Sequence, residues 1–172
     1  MANDSYTSTQ KTLHWTIAIL IIGLWCAGFS FDYLPKTPFK SYLANTHKTL
    51  GVIVFFLVLI RILARIKHPV NPFQLPKVIQ LMGKLTHIIL YALIVMMPLS
   101  GWIMSSAVHK MPNWFPLFIP GIPYSKPLAQ TMHSIHGYLG YTLAFFVTVH
   151  ICATLFHVWR KEPILDRMLF RS

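Results

Sequence analysis

Nine histidines are spread through this chain, and four of them fall within HSIHGYLGYTLAFFVTVHICATLFH, residues 133–157, a stretch otherwise apolar enough to cross a bilayer. Imidazole is penalised in hydrocarbon, so a histidine at membrane depth is by default a functional group: a metal ligand, a proton carrier or a hydrogen-bond partner between helices. His136 and His150 are 14 residues apart. On a helix that is a rotation of about 1400°, about 40° short of four full turns. The two share a face and lie about 21 Å apart along the axis. Such spacing suits two ligated groups stacked across a membrane, one near each surface.

The elements that must position these side chains follow from composition. The chain has 172 residues, of which 55% are hydrophobic and only 11% charged, with a mean hydropathy of +0.54. That is too apolar for an ordinary soluble domain and fits one small polytopic membrane domain over residues 1–172. The polar stretch MANDSYTSTQK is followed by an apolar run too long for a signal-peptide core, so the first helix is expected to stay. Four spans are drawn between the charges, at about 12–32, 42–64, 85–107 and 128–159. Lys48 and Arg61 must either snorkel to the headgroups or face the bundle interior. Pro98 and Gly101 predict a kink in the outer half of the third span. Cys26 and Cys152 both lie within apolar runs and form no disulfide framework, and no CxxCH motif for covalent haem attachment is present.

The formal net charge of +11 raises nucleic acid as a partner, but the distribution of charge argues for membrane lipid instead. With four spans both termini share a side. Ten of the 15 basic residues fall there and five on the other, which places both termini in the cytoplasm. The connection VHKMPNWFPLFIPGIPYSKP is expected to lie on the outer surface as an interfacial cap. No nucleophile–base arrangement, Walker loop or carboxylate pair points to hydrolytic or phosphoryl chemistry.

Depth then pairs the histidines. His47 enters the second span near the outer surface, level with His136; His14 enters the first near the cytoplasmic surface, level with His150. Two such pairs in an apolar bundle point to b-type haem, whose iron takes an axial imidazole on each face for electron transfer. Gly51, Gly137 and Gly140 are candidates for letting a flat macrocycle approach the helices. Zinc transport is the weaker ligand-based reading, because zinc sites commonly recruit carboxylates or thiolates and no acid lies inside a span. His87 also starts a helix at the cytoplasmic face, and periodicity alone does not choose between it and His14 as the partner of His150.

The motifs TLHW in the first span, NTHKTLG and LVLIRILARIKHP in the second, HIILYALIVMMPLSG in the third and HGYLGY with its following histidines in the fourth together resemble the bacterial cytochrome b561 family, over about residues 8–170. The same di-haem core is found in the cytochrome b subunits of membrane-bound formate dehydrogenases and nickel hydrogenases. The resemblance implies an all-α, integral membrane four-helix bundle enclosing two b-type haems in the bacterial inner membrane. It also implies His14, His47, His136 and His150 as axial ligands, with His14 chosen over His87. Stand-alone members of this length include superoxide oxidases, which pass electrons from superoxide outside to ubiquinone at the cytoplasmic side. In that reading Lys48 and His133 lie on the superoxide approach, where positive charge steers a small anion inward. His157 and His87 suit hydrogen bonding to a quinone carbonyl, and Arg61 and Arg65 suit negative charge on a partly reduced quinone. The alternative is an electron-transfer subunit that docks on a separate redox protein partner; a metal or haem carrier is the non-redox reading. His68 and His109 read as loop residues without a role.

Overall fold

The computed structural model describes residues 5–110 and 122–170. Four long helices fill almost all of that: α1 Ser8–Ser30, α2 Pro38–Lys67, α3 Lys77–Ala107 and α4 Lys126–Trp159, followed by a short 3-10 turn, α5, at Asp166–Met168. There is no strand among the described residues. All four long helices have the length and apolar composition to cross a membrane. The chain is thus an all-α membrane bundle, as its composition implied.

Local chemistry sets the helix ends, and it sets them beyond the apolar stretches. α1 begins at a capping box, in which the Thr7 hydroxyl accepts from the Gln10 backbone and the Gln10 side chain accepts from the Thr7 backbone. α2 starts from Thr37 as N-cap with Pro38 at its first position, where the missing N–H costs nothing. The charges nearest the apolar runs do not end these helices: α2 runs on past Arg61 and Arg65, and α3 begins before Lys84. Lys77 opens α3 and Lys67 closes α2, so α2 and α3 extend one to two turns past the spans drawn from charge. At about 1.5 Å per residue, the 34 residues of α4 exceed a hydrocarbon core of about 30 Å. α3 continues as helix through Pro98.

Close packing pairs α3 with α4, α1 with α2 and α2 with α3. A compact apolar core lies between α3 and α4, where buried Leu90, Leu93 and Leu143 pack with Met97 and Phe146. No comparable packing joins α4 to α1 or α2 among the described residues. Large apolar side chains such as Ile19, Leu63, Phe145 and Leu155 face outward, as lipid contact requires.

Both described ends of the chain lie at one end of the bundle. The tail after α4 returns beneath α1: Lys11 Nζ donates to the Leu169 carbonyl at 2.8 Å and Trp15 Nε1 to the Met168 carbonyl at 3.0 Å. Arg167 donates to the Asn71 carbonyl in the α2–α3 connection at 2.8 Å. At the far end, Lys40 Nζ donates to the Phe31 and Leu34 carbonyls, and Lys48 Nζ donates to the Lys110 carbonyl at 2.6 Å. Most of the connection expected to form an interfacial cap lies outside the described residues.

Candidate functional site: two facing imidazole pairs

At the far end, His47 of α2 faces His136 of α4 with ring centroids 6.2 Å apart and ring planes at 70°. His136 is held by the MPLSG segment of α3. Its Nδ1 lies 3.0 Å from Ser100 Oγ and 3.1 Å from the Met97 carbonyl. Ser100 Oγ itself donates to the Met97 carbonyl at 2.7 Å, so both groups serve as acceptors for the imidazole. The proton therefore sits on Nδ1 and the Nε2 lone pair is available to a metal. Gly101 completes the seat, because a Cβ there would stand 3.0 Å from His136 Cε1. His47 Nδ1 is buried and faces the Leu24 carbonyl of α1 without a well-formed hydrogen bond. Gly28 lies beneath its ring.

At the terminal end, His14 of α1 faces His150 of α4 at 6.3 Å between centroids, with planes at 82°. His87 of α3 is also beside His150, at 5.3 Å. Its Nδ1 donates to the Gly83 carbonyl one turn back, at 2.7 Å.

These separations can be compared with the spacing that a shared metal would need. Two imidazoles bound on opposite sides of a metal, each through a nitrogen about 2 Å away, put their ring centroids about 6 Å apart. The His47–His136 and His14–His150 pairs fit that spacing, whereas His87 stands too close to His150 for an intervening metal. Each pair also bridges helices that do not pack closely, α2 to α4 and α1 to α4, which is where a flat macrocycle needs room. The space around a Cβ at Gly51 and Gly137 is open. Gly140 differs from its expected role: a Cβ there would meet Met97 Cε at 3.2 Å, so it serves α3–α4 packing. Among the described residues no cluster of three or more His, Cys, Asp or Glu side chains is arranged to hold a bare metal ion. Two protein ligands per site fit a haem, whose macrocycle supplies the remaining four donors.

The other candidates are distributed around these pairs. Arg61 is only 7% exposed and faces the bundle interior. It donates to the Gln10 carbonyl at 2.6 Å. Arg65 donates to the Tyr6 hydroxyl at 3.1 Å, with its guanidinium 5.3 Å from that ring's centre. His157 is joined to Glu162 through Nδ1 at 2.5 Å, and Arg160 Nε meets the same carboxylate at 3.1 Å. Above all the His157 hydrogen bond, then its charge and that of Arg160, hold the Glu162 carboxyl below its ordinary range. His133 is exposed and shares an open surface groove with Lys126, Gln130 and Ser134. Lys48 has its ammonium on the Lys110 carbonyl. His68 supplies a carbonyl to the Gln10 amide at 2.9 Å, and the His109 ring lies 5.8 Å from Tyr124.

Sequence reasoning missed Gln10, Ser100, Gly101 as a contact residue, and Glu162. Gln10 carried a signal: it completes T-x-x-Q before an apolar run. Ser100 carried none, since nothing in its spacing ties it to a histidine 36 positions away.

An apolar bundle that presents two imidazole pairs across its interior, one near each end, is the build of a bis-histidine membrane cytochrome. The family model described as prokaryotic cytochrome b561 matches residues 5–171, and the chain belongs to that family. It is similar to cytochrome b561 homolog 2 of Escherichia coli K12, 26% identical over 182 aligned positions that cover 98% of this chain and 93% of the relative. It is also similar to cytochrome b561 homolog 1 of the same organism, 28% identical over 184 positions that cover 98% of each. The chain is therefore a multi-pass membrane protein of haem b electron transfer.

Proposed function

We propose that this chain is a di-haem superoxide:ubiquinone oxidoreductase of the bacterial inner membrane, with both termini cytoplasmic. The observation that carries the reading is the pair of facing imidazole sets at opposite ends of α4, His47–His136 and His14–His150. The haem supplies reversible one-electron chemistry when bound, and two of them form a relay between membrane surfaces. The balanced reaction takes one electron from each of two superoxide anions, releasing two O₂, and delivers both electrons with two protons to one ubiquinone to give ubiquinol.

The chain's own residues divide the work. At the periplasmic end, lysines including Lys48 and Lys126 give the surface a positive field that draws in an anion, and His133 adds a polar edge one turn before His136. Ser100 and the Met97 carbonyl fix the orientation of His136. At the cytoplasmic end, His157 keeps Nε2 available for a quinone oxygen while Glu162 occupies its Nδ1, and the pair can pass a proton toward that oxygen. His87 and Arg65 lie beside the His14–His150 pair at the same end of the bundle.

The test is stopped-flow absorbance of oxidised, purified protein mixed with superoxide, with and without ubiquinone. Fast reduction of b-type bands, followed by reoxidation only when quinone is present, is expected. Haem that superoxide does not reduce would favour a subunit that takes electrons from a separate dehydrogenase.

A further inference from the structure

Arg61 poses an electrostatic problem that the electron relay does not solve. It is more than nine-tenths buried, on a helix that crosses the membrane. Its NH1 donates to the Gln10 carbonyl at 2.6 Å, and the Tyr91 side chain of α3 lies beside it. Among the described residues, the groups that act on it electrostatically are Tyr91, Arg65 and Tyr6, and none of these is a carboxylate. The chain has only four acids, of which Glu162 is engaged by His157 and Arg160. A charge removed from water without an opposite charge is strongly disfavoured, most of all inside a membrane. The Gln10 carbonyl satisfies one of the five guanidinium N–H donors, and it brings no opposite charge.

The position of this cation narrows what could compensate it. Arg61 acts electrostatically on His14, His87 and His150 together. It therefore lies beside the His14–His150 pair, between α1 and α3. A haem b brings two propionate carboxylates into the bundle, and each of those anions needs a cation in turn. The planar fork of an arginine matches a carboxylate through two parallel hydrogen bonds.

We infer that Arg61 is the carboxylate-binding residue for the haem at His14–His150, holding a propionate against the Gln10 carbonyl edge of α1 and the Tyr91 hydroxyl of α3. This rests on the di-haem reading. It assigns Arg61 to the cofactor and leaves the quinone to His157 and Arg65. An anionic oxygen on a reduced quinone has the same chemistry as a carboxylate at this site, so the test must separate the two.

The experiment is resonance Raman spectroscopy of quinone-depleted, oxidised protein as wild type, Arg61→Gln and Arg61→Lys, read at the haem propionate bending band, with haem per chain measured alongside. Glutamine keeps a donor for the Gln10 carbonyl but removes the charge; lysine keeps the charge and loses the fork. A propionate band shifted in Arg61→Gln, and shifted less in Arg61→Lys, is expected. Should Arg61→Gln lose the haem altogether, the band in Arg61→Lys still decides. A band unchanged in every variant that retains haem overturns the inference. An unchanged band accompanied by weaker quinone binding reassigns Arg61 to the quinone, which equally overturns it. Wild-type protein with fewer than two haems would instead sink the di-haem reading, whatever Arg61 does.

Discussion

His136 is the best-defined side chain of the far-end pair because three consecutive features of α3 meet it: the Met97 carbonyl, the Ser100 hydroxyl and the missing Cβ of Gly101. An acceptor on Nδ1–H makes imidazole a more basic ligand and favours oxidised iron. Ser100→Ala removes one of the two acceptors, so the midpoint potential of the far-end haem rises. A potentiometric titration that leaves it in place would show that the Met97 carbonyl alone suffices. Gly101→Ala drives a methyl to 3.0 Å from His136 Cε1 and lowers occupancy of that haem. Gly28→Ala, at an ordinary 3.5 Å from His47 Cε1, retains both haems. Haem-to-protein ratios of the two variants check the contrast, and equal ratios would contradict it. The facing of His47 on His136 and of His14 on His150 was expected from spacing and depth. Their neighbours were not, because Ser100 and Gly101 act across a helix interface that no local pattern encodes.

Between elements, the terminal end is held by side chains that cap backbone ends. The Gln10 amide, 1% exposed, donates to the Ala64 and His68 carbonyls at 3.1 and 2.9 Å. It ties the first turn of α1, one turn before His14, to the last turn of α2. Gln10→Ala leaves these acceptors without that donor, at a cost of about 1–3 kcal/mol. A lower thermal midpoint with preferential loss of the His14–His150 haem is expected, and an unchanged midpoint would contradict the latch. Beyond α4, the His157–Glu162 contact anchors the returning tail. The Glu162 carboxyl is lowered from its ordinary 4.5. A depressed carboxyl contributes stability that is full above its unfolded value and lost as pH falls through the folded value. The contact joins only the end of α4 to the short tail beyond it, so the effect is local. Hydrogen-exchange protection factors of residues 160–170, corrected for the intrinsic rate, should fall on acidification below about pH 4.5, and Glu162→Gln should remove that change in protection. The helix number was readable from hydropathy. The helix ends were not, because caps such as Thr7 and Thr37, rather than the nearest lysine, decide where a backbone begins to coil.

For the whole molecule, function depends on leaving space. α3 packs tightly on α4 and α1 on α2, while the two imidazole pairs span the loosely packed directions between them. A bundle that closed those directions would gain apolar contact and lose its cofactor slots. The Coulombic reading of the sequence was least complete here. Of the basic residues at the far end, Lys40 and Lys48 are bonded to backbone carbonyls, which makes them structural as well as electrostatic. Arg61, which charge spacing left between headgroups and interior, turned inward. The measurement that bears most directly on the account is haem per chain, by pyridine haemochrome assay, in purified wild type and in the His14→Ala, His47→Ala and His87→Ala variants. Two haems in wild type, one in each of the His14 and His47 variants and two in the His87 variant are predicted. Two haems in His14→Ala together with one in His87→Ala would contradict the assignment of the His14–His150 pair.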